Sequence, residues 1–251
     1  MNSKELTEYL NHEYNHPFAG WDFTYIDGRR IEDPLPWSYE TLTRESLARS
    51  SSAVDLGTGG GEWLLQFKDV FPSRMAATEG YPSNLRLARE RLASYGVTVY
   101  DSPGRLDDVL PFPDESFDLV LDRHSAFNAA EVARILTPGG VLMTQQVDGR
   151  QTDVQAAFEA EPLWSYFTLE FLLSRLHGLP LVVEIAREWT GEVRFTNLGA
   201  MVYWFKAVPW IVPGFTVETH LPYLEILQRR LEVDGLLTFH HTHMLVRAKK
   251  H

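Results

Sequence analysis

The 251-residue sequence contains no cysteine, and this absence excludes two kinds of structural support. A chain without thiols can form neither disulfide bonds nor the thiolate zinc sites that stabilise many small domains. Nothing in the composition points to an oxidising compartment. We therefore expect a cytoplasmic protein.

Basic residues are scarce relative to acidic ones. The chain has 23 Lys and Arg against 34 Asp and Glu, a formal net charge of −11. Proteins bind nucleic-acid phosphates through basic surfaces, so we expect no nucleic-acid partner. Residues 1–16 lack the apolar core of a signal peptide, and Lys206, Pro209 and Pro213 interrupt the most apolar stretch, 198–215. We therefore expect no membrane-spanning segment.

Short β-like runs alternate with helix-like periods between residues 52 and 147. Such alternation predicts βαβ units and a mostly parallel sheet covered by helices on both faces. Ligands of such sheets bind at the carboxyl ends of the strands, which selects the loops after Leu56, Thr78, Tyr100 and Leu121. The predicted strands are 52–56, 75–79, 97–101, 117–122 and 141–147, and the predicted helices are 62–71, 129–136 and one that opens at Tyr81-Pro82-Ser83 and ends at Gly96.

The flanks differ from this central region. We predict an N-terminal arm or cap over 1–50, a core over 51–150, and a C-terminal part of the sheet over 151–251, all in one domain. A substrate-capping insertion is expected at about 197–216. The fold predicted is α/β, with a doubly wound, seven-stranded, mostly parallel sheet, an antiparallel C-terminal strand and a helical N-terminal arm. The C-terminal part is predicted to contain helices at 161–176 and 219–232 and β-like runs at 181–186, 192–196 and 237–248.

A cluster of four glycines follows the first predicted strand, in VDLGTGGGEW (54–63). Glycine loses more backbone freedom on folding than any other residue, so these positions indicate positive φ angles or close approach of a ligand. A dinucleotide-binding G-x-G-x-x-G counted from Gly57 would need glycine at position 62, where this chain has Glu62. A carboxylate there disfavours a pyrophosphate and favours a ligand that has cationic groups and no phosphate.

Four segments in order resemble those of one known family. VDLGTGGGEW (54–63) resembles motif I of the class I, Rossmann-like superfamily of S-adenosylmethionine-dependent methyltransferases. AATEGYPSNLRLAR (76–89) is similar to its acidic second-strand motif, LPFPDESFDLVLDRH (110–124) to its fourth strand, and ARILTPGGVLM (133–143) to its helix–PGG–strand signature. The resemblance covers about 52–147 and implies a methyltransferase.

The resemblance also implies a cofactor, S-adenosyl-L-methionine, with S-adenosyl-L-homocysteine as the product. Glu79, at a partly exposed strand end, would accept hydrogen bonds from the ribose hydroxyls. Asp101 and Ser102 would bind the adenine edge, although the connection 102–109 is longer than the family's and Arg105-Leu106 is an alternative. Arg123 could contact an acidic substrate instead of the cofactor loop. The implied cofactor-binding residues are Asp55, Gly57, Thr58, Gly59, Gly61, Glu79, Gly80, Tyr81, Asp101, Ser102 and Arg123.

Histidines supply the catalytic and metal hypotheses. His124, in DRHSAF at the end of the fourth strand, has an imidazole that could accept a proton near neutrality, since its ordinary pKa is about 6.5. It is the candidate catalytic base, and the alternative is a structural or substrate-contacting role. His241 and His243 would share one face of a strand. No third ligand can be named, so we predict an exposed strand face and no metal site.

Aromatic residues supply the acceptor hypothesis. Trp21, Tyr25, Trp37 and Trp204 are the candidate substrate-binding residues, because aromatic surfaces suit a small, largely apolar or cyclic acceptor. The alternative is that they only pack. We expect a small-molecule methyltransferase, and the alternatives are one acting on RNA or protein, a non-catalytic cofactor-binding module, or a nicotinamide oxidoreductase. Both a monomer and a homodimer remain open.

Overall fold

The computed structural model describes residues 1–18, 21–150 and 152–251. These residues divide into two compact units. Unit 1 comprises Met1–Leu35, Asp148–Thr168 and Trp189–Thr242, and unit 2 comprises Pro36–Val147, Leu169–Glu188 and His243–His251. The division of the sequence into 1–50, 51–150 and 151–251 stays a prediction. The helices are α1 Ser3–Asn15, α2 Tyr39–Leu47, α3 Pro82–Leu92, α4 Ala129–Ile135, α5 Thr152–Ala157, α6 Leu169–Leu176, α7 Leu198–Ala207 and α8 Leu221–Asp234.

The strands confirm the predicted α/β class. In the described residues they form one sheet in the order β1-β7-β8-β6-β5-β2-β3-β4. Eight strands are present where seven were predicted. The extra strand, β1, is three residues long, too short to show an alternating pattern in the sequence. The strands are β1 Arg30–Glu32, β2 Ser52–Leu56, β3 Arg74–Glu79, β4 Thr98–Asp101, β5 Phe117–Arg123, β6 Leu136–Val147, β7 Leu181–Phe195 and β8 Leu237–Lys250.

Unit 2 contains the doubly wound part of the sheet. Strands β4, β3, β2, β5 and β6 pair in parallel, and residues 243–249 of β8 pair antiparallel to β6. One face packs on α4 and α6, and the other packs on α2 and α3. Because both faces are covered, the strand interiors are continuous apolar runs, as expected for parallel sheets.

Local sequence signals start and stop the helices of unit 2. Pro82 occupies the first turn of α3, where its missing N–H costs nothing. Gly96 ends the short 3₁₀ helix that follows α3, at a left-handed φ of 72°, which confirms the predicted stop. The side chain of Asn128 caps α4 by accepting from the Ala130 N–H at 3.1 Å.

Unit 1 is built around a separate apolar core. The helices α1, α7 and α8 contribute to it, together with Phe195 of β7 and Phe239 of β8. Asn2 and Glu5 form a capping box at the start of α1. Within the described residues, no helix combines the length and the apolar composition needed to cross a membrane.

Three predicted elements differ from the structure. Residues 62–71 form a 3₁₀ helix over Leu64–Val70, because Pro72 leaves only a short segment after the glycines. The helix predicted at 161–176 begins only at Leu169, and upstream the Phe167 carbonyl accepts from the Gly149 N–H at 2.8 Å instead. The runs 181–186 and 192–196 are parts of one strand, β7.

Candidate active site

The glycine cluster forms a tight loop after β2. Gly57, Gly59 and Gly61 have φ angles of 65°, 63° and 83°, in the left-handed region that favours glycine. The N–H of Gly57 donates to Thr78 Oγ1 at 3.2 Å, and the N–H of Thr58 donates to the Thr78 carbonyl at 2.9 Å. The expectation that these glycines adopt positive φ is therefore confirmed.

Glu79, the last residue of β3, holds this loop. Its Oε2 accepts from the Gly59 N–H at 2.7 Å, and its Oε1 accepts from the N–H groups of Gly80 and Tyr81 at 2.9 and 2.7 Å. Burial raises the pKa of the Glu79 carboxyl, and the three amide donors act against that increase. The side chain is 7% exposed, so the partly exposed strand end that we expected is wrong. The missed feature is the set of backbone donors, which only the folded loop assembles.

Two further carboxylates lie at the glycine loop. Asp55 is buried at the end of β2, and burial raises its pKa from 3.8 to about 7, against the opposing effects of the Thr58 hydroxyl and the Arg123 charge. Glu62 pairs with Arg91, and its carboxylate lies where a side chain on Gly60 would have to go. Acidic groups on several sides of one loop disfavour a phosphate ligand and favour a cationic one.

A narrow crevice that is open to solvent lies beside the loop in unit 2. Its lining includes Ser102, Arg105 and Asp108 from the connection after β4. Asp101 is an exposed residue at the end of β4 and is not part of this lining, and neither is Leu106. The apolar part of the lining is Leu56, Leu110, Ala126 and Phe127.

Asp108 is a site residue that the sequence analysis missed. Its Oδ2 accepts from the Arg105 N–H at 2.9 Å and from Ser102 Oγ at 3.4 Å. Its carbonyl accepts from Asn128 Nδ2 at 3.1 Å, which ties the connection to the start of α4. The unusual length of 102–109 was the available signal, because extra residues at the carboxyl end of a strand often serve a ligand.

Arg123 and His124 follow one another at the end of β5. The Arg123 guanidinium lies over the Trp63 ring at 5.2 Å. His124 has an exposed side chain and a φ of 63°, which is rare for a residue with a Cβ, and its N–H donates to the Gln145 carbonyl at 2.9 Å. Such backbone strain persists only where neighbouring groups hold it, and it concentrates at functional positions.

Asp122, which lies in β5 and precedes these two residues, is fully buried. Its Oδ1 accepts from Thr144 Oγ1 at 2.8 Å and from Gln146 Nε2. Gln146 Nε2 also donates to the Ser125 carbonyl at 2.8 Å, so the network supports the loop that follows His124. Burial raises the pKa of Asp122 well above its ordinary value.

The aromatic candidates fall in both units. In unit 1, Trp204 is 5% exposed within the apolar core, whereas Trp21 is 47% exposed. Also in unit 1, the Tyr25 ring stacks on His16 at 3.5 Å. In unit 2, the Trp37 indole Nε1 donates to Gln145 Oε1 at 2.9 Å.

The late histidines are buried, so the expectation of an exposed strand face is wrong. In unit 1, His241 is 5% exposed, and its Nδ1 lies 3.3 Å from Glu32 Oε1. In unit 2, His243 is 7% exposed, and its ring centroid lies 6.0 Å from that of His124. The strand β8 lies inside the sheet between β7 and β6, which explains the burial.

Comparison with known proteins gives matches over this region. Residues 54–144 match the family model described as a methyltransferase domain. The ubiquinone/menaquinone biosynthesis C-methyltransferase UbiE of Marinomonas sp. (strain MWYL1) is 24% identical over 135 residues, which are 47% of this chain and 51% of that protein. The trans-aconitate 2-methyltransferase of Paracidovorax citrulli (strain AAC00-1) is 33% identical over 131 residues, 49% of each chain. The matches therefore span about half the length of these curated relatives.

Solved structures share the fold. A candidate methyltransferase of Bacillus halodurans C-125 has a TM-score of 0.59 at 19% identity, covering 85% of this chain and 99% of that one. A geranyl diphosphate methyltransferase in complex with GPP and sinefungin has a TM-score of 0.51 at 16% identity, covering 98% of both chains. At these identities the likeness concerns the fold alone.

Proposed function

We propose that this chain, which belongs to the class I, Rossmann-like superfamily of S-adenosylmethionine-dependent methyltransferases, transfers a methyl group from S-adenosylmethionine to a small-molecule acceptor. The proposal covers the activity, the cofactor and the acceptor class. Its parts rest on different observations.

The observation that carries the proposal is the acidic character of the glycine loop. Asp55 and Glu62 both lie at it, whereas the glycine loops that bind dinucleotides present backbone amides to a pyrophosphate. Glu79 does not discriminate, because an acidic residue at this spacing also binds the ribose of dinucleotides. S-adenosylmethionine carries a sulfonium and an ammonium group and no phosphate. At and above about pH 7, where Asp55 ionises, the carboxylates at the loop suit this cofactor and oppose a nicotinamide dinucleotide.

The residues present suit the parts of this cofactor. The loop from Gly57 to Gly61, which contains Thr58 and follows Asp55, would allow close approach of its methionine end. Glu79 would share its carboxylate between the loop amides and the ribose hydroxyls. Gly80 and Tyr81 would flank the adenine. The adenine edge is assigned to Ser102 and Asp108, and Asp108 takes the place of the exposed Asp101, which does not line the crevice. Arg123 is assigned to the cofactor loop.

The bound cofactor supplies an electrophilic methyl group, so that the chain mainly contributes binding and alignment. His124 is proposed to act beside the reacting atoms because it directly follows β5, at the edge of the sheet where ligands of such folds bind. The Asp122 network reaches the Ser125 carbonyl and so supports the loop in which the strained backbone of His124 lies.

Two considerations support a small-molecule acceptor. The curated relatives are, by their names, a C-methyltransferase of ubiquinone/menaquinone biosynthesis and a trans-aconitate 2-methyltransferase. The net charge of −11 opposes RNA as an acceptor. The proposed acceptor-binding residues are unchanged: Trp21, Tyr25 and Trp204, which lie in unit 1, and Trp37, which lies in unit 2.

The test is transfer of an isotope-labelled methyl group. The purified protein would be incubated with labelled S-adenosylmethionine and three separate pools: small organic acids and phenols, total RNA, and protein. We expect label in the small-molecule pool, and a reduced rate in His124→Asn. Label that appears only in RNA or protein would refute the small-molecule acceptor class. Binding of S-adenosylmethionine without transfer of label to any pool would refute the activity.

A further inference from the structure

A buried amide connects His124 to Trp37. The side chain of Gln145, in β6, is 3% exposed. Its Oε1 accepts from the indole Nε1 of Trp37 at 2.9 Å, and its Nε2 lies 3.4 Å from Nε2 of His124. All three residues belong to unit 2.

The donor and acceptor roles in this chain follow from chemistry alone. The indole Nε1 can only donate, so the atom of Gln145 that faces it must be the carbonyl oxygen. The other end of the amide is then NH₂, which can only donate. The Nε2 of His124 must therefore accept, and a neutral imidazole that accepts at Nε2 carries its proton on Nδ1.

Gln145 also fixes the backbone of His124. Arg123 and Gln145 are partners in the β5–β6 pairing, and the Gln145 carbonyl accepts the His124 N–H at 2.9 Å. His124 leaves the strand in the left-handed region at this point, with a φ of 63°. One residue therefore contacts both the main chain and the ring of His124, which limits how the ring can turn.

We infer that Gln145, oriented by Trp37, is a positioning residue that holds His124 as the tautomer with its proton on Nδ1, so that His124 serves methyl transfer as a hydrogen-bond donor. The second half of this inference rests on the proposed function. The donor role suits an acceptor molecule that presents an anionic oxygen, such as a carboxylate or an enolate, because such a group needs no base. This role as a hydrogen-bond donor replaces the role of catalytic base that the sequence suggested for His124.

Nitrogen-15 NMR of the ligand-free, wild-type protein with labelled histidine tests the tautomer directly. The spectrum would be recorded at mildly alkaline pH, where an imidazole with a pKa of about 6.5 is neutral. The histidine signals that are present in the wild-type spectrum and absent from that of His124→Asn belong to His124. This comparison distinguishes them from the signals of His243. We expect Nδ1 to be protonated and Nε2 to be unprotonated. A proton on Nε2 would overturn the inference, whatever the activity of the protein.

Two variants test whether Gln145 sets the tautomer. Gln145→Glu replaces the donor by an acceptor of the same shape, so the proton should move to Nε2. Trp37→Phe removes the group that orients the amide and should give a mixture of tautomers. Gln66→Glu, at an exposed position of unit 2, adds the same charge elsewhere and should change nothing. A Gln145→Glu spectrum identical to that of the wild type would refute the role of Gln145.

Kinetics test the donor role separately. Gln145→Glu should lower kcat/KM for the acceptor about tenfold, the effect of losing one hydrogen bond to a charged group. Its affinity for S-adenosylhomocysteine should stay within about twofold, because Gln145 is not assigned to the cofactor. A reversed tautomer with unchanged methyl transfer would contradict the donor role while leaving the proposed methyltransferase activity intact.

Discussion

The carboxyl ends of β2 and β3 differ from those of β5 and β6 in how their polar groups are held. At β2 and β3, one carboxylate, Glu79, gathers three backbone N–H groups from two loops. At β5 and β6, side chains bind other side chains, as in Trp37–Gln145 and Thr144–Asp122. The first arrangement depends on backbone shape and the second on residue identity.

This difference teaches where change is tolerated. The loop after β2 is held through its backbone amides, so it depends on the glycine geometry and on Glu79. Such a loop suits the part of the ligand set that is the same in every reaction. A network of side chains can be altered one residue at a time. We infer that the first region serves the cofactor and the second serves the acceptor.

The largest expected effect concerns the buried Asp55. The unfolded chain releases this proton at about pH 3.9, whereas the folded protein keeps it until about pH 7, so the unfolded state binds fewer protons in between. The free energy of unfolding should therefore fall as pH rises through this window, by at most about 4 kcal/mol from Asp55. In Asp55→Asn this contribution should vanish.

Urea unfolding of the wild type and of Asp55→Asn at several pH values between about 4 and 8 measures the difference. Asp122 and Glu79 also have raised pKa values and add to the fall in both proteins. The Asp55 charge raises the pKa of Asp122, so the difference between the two curves measures Asp55 together with its coupling to Asp122. Parallel curves would mean that Asp55 titrates normally.

The next effect tests the glycine loop. In Gly57→Ala the new Cβ would lie 2.4 Å from the Cβ and Oγ of Ser125, at a φ of 65°. Backbone strain and overpacking together should cost about 3 kcal/mol of stability, and S-adenosylhomocysteine binding should be lost. Gly96→Ala has a similar φ of 72° with no atom within 4 Å, so it should show the strain alone, about 1 kcal/mol. If thermal unfolding showed equal losses of stability in Gly57→Ala and Gly96→Ala, the close approach of Ser125 to Gly57 would have no energetic effect.

A smaller loss is expected for Glu79→Gln. The amide NH₂ would face a backbone N–H in place of a carboxylate oxygen, which should cost about 2 kcal/mol and weaken S-adenosylhomocysteine binding more than tenfold. Glu90→Gln changes an exposed carboxylate of α3 and serves as the control in the same calorimetric titrations. Unchanged affinity in Glu79→Gln would exclude the ribose role.

The smallest effect distinguishes Asp108 from Asp101. Asp108→Asn should weaken S-adenosylhomocysteine binding about tenfold, because we propose that its carboxyl group, which lines the crevice, accepts from the adenine amine. It should also reduce the preference over S-inosylhomocysteine, which lacks that amine. Asp101→Asn, at an exposed strand end, should behave like the wild type. The opposite pattern would restore Asp101 as the adenine contact.

The fold was predictable from the sequence to the extent that its signals are local. The parallel strands and α4 follow from periodicity, and Pro82 and Gly96 punctuate α3 and its 3₁₀ extension. β1 was missed because its pairing with β7 joins residues 30–32 to 193–195, about 160 positions apart. No window of the sequence contains that information.

The site divides in the same way. The glycine loop and Glu79 were found because they lie in one βαβ unit with a known spacing. Asp108 and Gln145 were missed because their roles depend on Asn128 and Trp37, which approach them only in the folded chain. The burial of His241 and His243 follows from the central place of β8 in the sheet, which a residue pattern along one strand does not reveal.

The central claim is that the glycine loop, with Glu79, binds a nucleoside that carries no phosphate. Calorimetric titration of the wild-type protein with S-adenosylhomocysteine and, in parallel, with NADH tests it most directly. The account predicts saturable one-site binding of S-adenosylhomocysteine that is lost in Gly57→Ala, and no binding of NADH. Saturable binding of NADH with none of S-adenosylhomocysteine would contradict it.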